Sequence, residues 1–460
     1  MLSYLLRRVL LMVPTLFGIT LVVFVVMASA PGGLSVQSLV GGMELEPESR
    51  QALEAYYNRL YGLDQPAPVQ YLRWLNTISP VGFEREADGS LGAFSFFKGS
   101  DLGVSFRYGR PVMDLLAERL PITLLLNLLS IPLIYALSIA IGVQAARSRG
   151  QRFDMASNIV LLGLWSVPTM LAGVLFIGFF ASEQYWHWFP TAGLVRREAV
   201  DQTFLPWLAG PGDVALMLGM VALVTTLMVW AAAQAPRRAR QAGGALTGAA
   251  LGYLMAADLQ GLSPGGLHGV LTLMGAGLVA LVAGVPGAAL RIACAGLLGL
   301  GVGVGLAGLA GAEVVQGGYL FDRAWHLVLP VIALSYGGLA FLAKLTRSSL
   351  LENLAADYAR TARAKGVDEE AVLWRHVFRN SLLPLITVSA ALLPSLLAGS
   401  VIVESIFSID GMGKLAVEAV QTRDRELVLS VTLISGLLTL AGYLLADLAY
   451  AMADPRVSYD

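Results

Sequence analysis

Residues 9–27 read VLLMVPTLFGITLVVFVVM, an apolar run without a charge, preceded directly by Arg7 and Arg8. A helix needs roughly 20 apolar residues to cross a hydrocarbon core of about 30 Å, so this run is long enough to span a bilayer. It also exceeds the apolar core of a cleavable signal peptide, about 7–15 residues. Ala28-Ser29-Ala30 imitates a cleavage site, but Pro31 would follow the cut, and a retained first helix is expected.

The rest of the chain has the same character. Hydrophobic residues make up 56% of its 460 positions and charged ones 14%, against about 25% charged in soluble domains. Further candidate spans fall at 119–145, 155–182, 206–233, 243–260, 266–287, 289–312, 324–343, 382–403 and 427–450. Between the first two spans lies a polar stretch, 31–115, rich in Gly, Pro and aromatic residues. Its helix-like Tyr56-Tyr57-Asn58-Arg59-Leu60 and its turn signals Asp64-Gln65-Pro66 and Asp88-Gly89 predict a small folded region outside the membrane. Cys294 is the only cysteine and the four histidines lack zinc-type spacing, which excludes a disulfide framework and a structural zinc.

Short loops rich in Lys and Arg stay cytoplasmic. Arg7/Arg8, Arg147/Arg149/Arg152, Arg237/Arg238/Arg240 and the basic segment 344–379 all fall on one side if every span is real. Dropping a single span from the Gly-rich stretch would separate them, so the span count between 190 and 322 is even: four, or two if 243–260 and a neighbour do not cross. Gly299, Gly301, Gly303 and Gly305 give small-xxx-small spacings. These let helix backbones approach closely, with packing inside the chain favoured over a dimer face. Pro14, Pro132, Pro168, Pro330 and Pro394 sit inside spans, tolerable where neighbouring helices satisfy the backbone groups they free.

The segment from Asp357 to Gly366, DYARTARAKG, predicts a short helix stopped by Gly366, with Arg363 and Lys365 suiting the dipole of its last turn. Asp368 then caps a second helix that opens with Glu369 and Glu370 and runs through Trp374, His376 and Phe378 towards Pro384. A short helix fixed by a tight turn between two spans can pass force from a docked partner to both. A basic amphipathic helix resting on anionic lipid is the alternative.

Two decoys fall to chemistry. Gly411-Met412-Gly413-Lys414 hints at a phosphate loop, but Ser408 replaces its leading Gly and Leu415 its Ser/Thr. Gly261-Leu262-Ser263-Pro264-Gly265 fits a nucleophile elbow, but Pro264 has no N–H for an oxyanion hole. An intramembrane enzyme would want ionisable groups in mid-span, whereas Asp258, Arg291, Lys344, Glu404 and Asp447 lie nearer span ends. A secondary transporter is the better rival, and it too normally needs buried charges.

Thr361-Ala362-Arg363-Ala364-Lys365-Gly366 and Arg375-His376-x-x-Arg379-Asn380 resemble the EAA loop of ABC importer permeases, in the version of the dipeptide/oligopeptide (B-type) branch. The general loop has Glu-Ala-Ala, three residues, then Gly; here Arg360-Thr361-Ala362 stands before Gly366. The resemblance continues, in family order, through Leu5-Leu6-Arg7-Arg8, Ala30-Pro31-Gly32 (with Gly33 where the family usually has Asp), Gly62-Leu63-Asp64-Gln65-Pro66 and Gln70-Tyr71-Leu72-Arg73-Trp74. Asp101-Leu102-Gly103-x-Ser105, Trp188-Phe189-Pro190-x-x-Gly193 and Leu345-Thr346-Arg347-Ser348-Ser349-Leu350 follow, then Val403-Glu404-x-x-Phe407 and Ala453-Asp454-Pro455-Arg456.

This resemblance implies an all-α integral membrane protein: a six-span permease core with an inserted, Gly/Ala/Leu-rich segment expected to hold four spans. The domains would be an N-terminal span (1–30), an extracytoplasmic region (31–115), spans two and three (116–193), the insertion (194–321) and the remaining core (322–460) with its coupling loop at 344–381. Asp357, Tyr358, Arg360, Thr361, Ala362, Arg363, Lys365 and Gly366 would couple the chain to an ATPase subunit. The chain would bind no cofactor directly, ATP with magnesium being held by the partner subunits. Expected partners are a second homologous permease, two ATP-hydrolysing subunits, an extracytoplasmic solute-binding protein and the lipid bilayer, with no nucleic acid. The site would be the bacterial inner membrane, with both termini cytoplasmic, and the function the inward transport of peptides or similar small solutes.

Overall fold

A computed structural model describes residues 2–29, 48–49, 52, 55, 65–85, 91–202, 204, 210–257, 264–284, 288–309 and 319–453. The expected helix at Tyr56–Leu60, the motifs at Ala30–Gly33 and Gly62–Asp64, the Asp88-Gly89 turn, Asp258, Gly261–Ser263 and Asp454–Arg456 lie outside the described residues. Among those described, five helices are long and apolar enough to cross a membrane, or six if one sharply bent pair counts as a span.

Two compact units emerge. The first comprises 1–125, 386–405 and 410–460. It contains α1 (Leu2–Ser29), α2 (Ala67–Ile78) and a hairpin of β1 (Gly82–Arg85) and β2 (Leu91–Ser95). The opening turns of α3 (Val112–Arg147) also belong to it. The hairpin is a small departure from an all-α chain. Of the stretch 31–115 expected to fold outside the membrane, the described residues after 65 form α2, this hairpin and the 101–111 loop, and two of its motifs have structural jobs. Tyr71 and Trp74 are buried with Phe24 and Leu429, and the Tyr71 hydroxyl donates to the Phe17 carbonyl at 3.0 Å. Gln70 accepts from Arg425 at 2.9 Å.

The first unit closes with the end of α12 (Phe378–Ile406), then α13 (Met412–Gln421) and α14 (Arg425–Ala453). Asp424 caps α14 by accepting from the Leu427 N–H at 3.1 Å, and its other oxygen accepts from Ser105 Oγ at 2.5 Å and the Arg107 N–H at 3.1 Å. One carboxylate therefore caps a helix and ties down the 101–111 loop. Tyr108 donates to Glu418 at 2.5 Å; burial first, then this carboxylate, raises its phenol pKa. Arg8 and Asp447 pair at 3.1 Å across α1 and α14.

Glu404 is fully buried at the end of α12. It accepts from Thr123 Oγ1 at 2.7 Å and from the Lys414 N–H at 3.0 Å. The N-terminus of α13 is thus filled by the chain's own carboxylate, a favourable place for negative charge. This agrees with rejecting Gly411–Lys414 as a phosphate loop.

The second unit comprises 126–385 and 406–409. The single span expected at 155–182 is instead α4 (Arg152–Ser166) and α5 (Thr169–Phe176), extended by a π-helical turn to Ala181 and bent by 96°. Pro168 sits at the break, because it lacks an N–H and disfavours helix in the residue before it. Tyr336 donates to the freed Val167 carbonyl at 2.6 Å. Pro14 and Pro330, by contrast, lie inside unbroken helices.

Among the described residues, four helices occupy the Gly-rich stretch: α6 (Pro211–Gln234), α7 (Arg237–Ala257), α8 (Pro264–Ala283) and α9 (Ala288–Leu309). They pack as nested pairs, α6 with α9 and α7 with α8. A methyl added to Gly299 or Gly303 would meet the Cα of Thr225 at 2.6 Å or of Val221 at 2.7 Å. These glycines serve close packing within the chain, while Gly301 faces open space.

The span expected to end at 343 does not stop there. Helix α10 runs from Tyr319 to Ala355, since 344–355 (KLTRSSLLENLA) has neither Gly nor Pro to end it. Asp154, almost wholly buried, pairs with Arg347 on α10, Nη2 to Oδ2 at 2.8 Å, and accepts from the Gly150 N–H at 2.9 Å.

Candidate functional site

Helix α11 (Asp357–Ala364) follows α10 after one bend at Ala356. Its stop matches the sequence expectation in atomic detail. Gly366 has φ +78°; the Gly366 N–H donates to the Arg363 carbonyl at 2.9 Å and the Val367 N–H to the Ala362 carbonyl at 3.2 Å. That pair of bonds satisfies carbonyls the helix end would otherwise leave bare, and it requires a left-handed residue at position 366. Asp368 then caps the next turn, accepting from the Glu370 N–H at 3.0 Å. From there the chain is helical through a π-turn (Val372–Val377) into α12, continuing past Pro384 without a break.

The two faces of α11 have different surroundings. Ala359 and Ala362 are buried together with Val143 and Ala146 of α3, Leu350 of α10 and Val377 at the end of the π-turn, with Phe378 at the start of α12 packed against them. Val367 packs on the same cluster. The other face is exposed: Asp357, Tyr358, Arg360, Thr361 and Lys365. Arg360 reaches only Asp357, at 3.3 Å, with both side chains largely in solvent, so this pair adds little stability. Tyr358 donates to Asn353 at 2.6 Å and stays part-exposed.

Of the eight expected coupling residues, five share the exposed face, whereas Ala362 is a packing residue and Gly366 makes the turn. Arg363 is turned back. Its Nε donates to Glu369 at 2.7 Å and its Nη1 to the Leu354 carbonyl at 3.1 Å. It clamps helix, turn and following helix together while its side chain stays one third exposed. Reading the residues alone missed the inner face, although Ala359 and Ala362 at i and i+3 carry its signal. Arg147 of α3 approaches Glu370 at 3.9 Å, a contact that no local pattern marks.

This is a multi-span helical membrane protein whose short polar helix is packed against three long helices on one side and bare on the other. Residues 248–459 match the family model described as binding-protein-dependent transport system inner membrane component, and residues 1–127 match the N-terminal model of the same system's membrane component. The chain belongs to that family: it is a permease subunit of an ATP-binding-cassette importer. It is 28% identical over 461 aligned positions to the oligopeptide transport system permease protein AppB of Bacillus subtilis, covering 100% of both chains. To the dipeptide transport system permease protein DppB of Escherichia coli K12 it is 26% identical over 459 positions, covering 100% of this chain and 99% of DppB. For the inner membrane ABC transporter permease protein YejB of Escherichia coli O157:H7 the figures are 24% over 495, with 100% and 99% covered.

Membership makes the chain a multi-pass inner-membrane protein that is not itself catalytic; ATP hydrolysis and solute capture belong to partner proteins. The larger match begins at 248, inside α7 and within the stretch 194–321 expected to be an insertion.

Proposed function

We propose that the chain moves peptides or similar small solutes inward by alternating access, with α11 as the element through which ATP-hydrolysing partners drive it. The observation that carries this reading is the asymmetry of α11. Its inner face is packed against α3, α10 and the start of α12, so a displacement of α11 acts on all three. Its outer face offers mixed charge and polar groups without a large apolar surface. A helix lying on lipid would turn apolar side chains to the bilayer, but Ala359 and Ala362 of α11 are already packed against protein.

The assembly would contain this chain, a second homologous permease, two ATPases holding ATP with magnesium, and an extracytoplasmic solute-binding protein. ATP binding supplies a difference in stability between inward- and outward-facing states, and α11 is where that bias enters. The relatives' names, oligopeptide and dipeptide permeases, support peptides as cargo. Both termini lie in the cytoplasm, and α6 to α9 cross the membrane four times, which keeps the arginine-rich loops on one side.

Cysteines at Arg360 and Lys365 test the reading in the assembled complex. Cross-linking of both to an ATPase subunit, and ATP-dependent uptake indifferent to proton and sodium gradients, are expected. Labelling of either cysteine from outside the cell, or uptake driven by an ion gradient without ATP, would overturn it.

A further inference from the structure

Helices α6, α7, α8 and α9 line a half-open cavity of about 270 Å³ at their arginine-bearing end. Its wall is apolar along Leu227, Met228, Val279 and Leu298, and small at Gly243. Arg240 and Arg291 also line it. Arg240 donates to the Ala283 carbonyl at 3.3 Å and the Ala235 carbonyl at 2.6 Å, and Arg291 donates to the Ala232 carbonyl. Two guanidinium groups from different helices thus converge on one apolar chamber, and Arg291 is buried.

The charge balance favours an anion. Arg237, Arg238, Arg240 and Arg291 bring four positive charges, while neither 214–257 nor 259–312 contains an Asp or Glu. The C-termini of α6 and α8 end here, and each contributes only about half a negative charge. The Ala283 and Ala235 carbonyls therefore orient Arg240 without neutralising it. Arg240 has five N–H donors and the two carbonyls take two of them.

We propose that this chamber binds one anionic phospholipid, its phosphate held by Arg240 and Arg291 and the upper part of an acyl chain along Leu227, Val279 and Leu298. A free phosphate would leave the apolar wall uncovered, whereas a lipid matches both halves of the site. Ligand-sized cavities start at roughly 300 Å³, so the remainder of the lipid lies outside, between the helices and the bilayer. The proposal rests on the reading of α6 to α9 as membrane-crossing helices whose arginine end faces the anionic inner leaflet.

The test uses the purified complex in detergent, with phosphatidylglycerol, phosphatidylcholine and inorganic phosphate as three separate probes. Retained lipid is read by native mass spectrometry and thermal stability in parallel. Gly243→Leu is a useful variant because Gly243 lines the cavity, a Cβ there meets no atom within 4 Å, and no arginine is replaced. Phosphatidylglycerol is expected to be retained and stabilising, with Gly243→Leu and Arg240→Gln each lowering retention about fivefold or more. Equal retention of phosphatidylcholine, equal stabilisation by inorganic phosphate, or undiminished retention in both variants would overturn the site. Failure of the underlying topology shows separately, as labelling of Arg238→Cys from outside intact cells.

Discussion

Gly366→Val and Gly366→Asn ask different things of one backbone angle. Position 366 holds φ +78°, and a Cβ placed there meets no atom within 4 Å. Collision therefore contributes nothing, and the cost is that of the left-handed conformation itself. For an ordinary L-residue this is about 1–2 kcal/mol; a β-branched side chain sits at or above the upper end, and Asn near the lower because it bonds locally. A tenfold change in population corresponds to about 1.4 kcal/mol. Valine should thus weaken the closed turn about tenfold or more relative to an opened one, in which the bonds from Gly366 and Val367 are lost. With the complex in proteoliposomes, peptide uptake and ATP hydrolysis are measured in the same vesicles. Uptake per ATP should fall about tenfold for Gly366→Val and little for Gly366→Asn, with membrane insertion unchanged. Wild-type coupling in the valine variant would remove the turn from the mechanism. Asparagine as damaging as valine would show that the surface, and not the backbone angle, is what matters.

Three other perturbations follow from packing. Arg347→Gln leaves the buried Asp154 carboxylate without its guanidinium; because Arg347 itself is part-exposed, the loss should be about 1–3 kcal/mol, seen as a lower melting temperature and relieved in part by Asp154→Asn. Glu404→Ala strips Thr123 and the Lys414 N–H of their acceptor and should cost about 1–3 kcal/mol, with Glu404→Gln milder because it keeps one oxygen; thermal unfolding of the two variants compares them. Tyr108→Phe removes the bond to Glu418 and should cost about 1 kcal/mol at neutral pH. The folded-state phenol pKa lies above its unfolded value, so this contribution is complete below the ordinary phenol range and disappears as pH rises through the folded value. Stability of wild type and variant against pH should converge there and not under acid conditions.

What the sequence alone decided was set by local chemistry. Long apolar runs must be helical in a bilayer, because no other open structure satisfies the backbone there, and Val9–Met27 announces this without reference to any other residue. Gly366 and Asp368 likewise act within a few residues of themselves, so the stop of α11 and the start of the next helix were legible from their order. Tertiary structure decided whatever depends on a distant partner. Local pattern predicts a basic exposed Arg363, but its position is settled by Glu369 and the Leu354 carbonyl across the turn. Glu404 looks like a charge at the end of a span until Thr123, far away in the chain, and α13 make it a buried cap. The break at Pro168 is held by a hydroxyl from Tyr336, and the meeting of Arg240 with Arg291 depends on which helices pair. A residue's type limits the contacts it can make, while packing between remote segments selects among them.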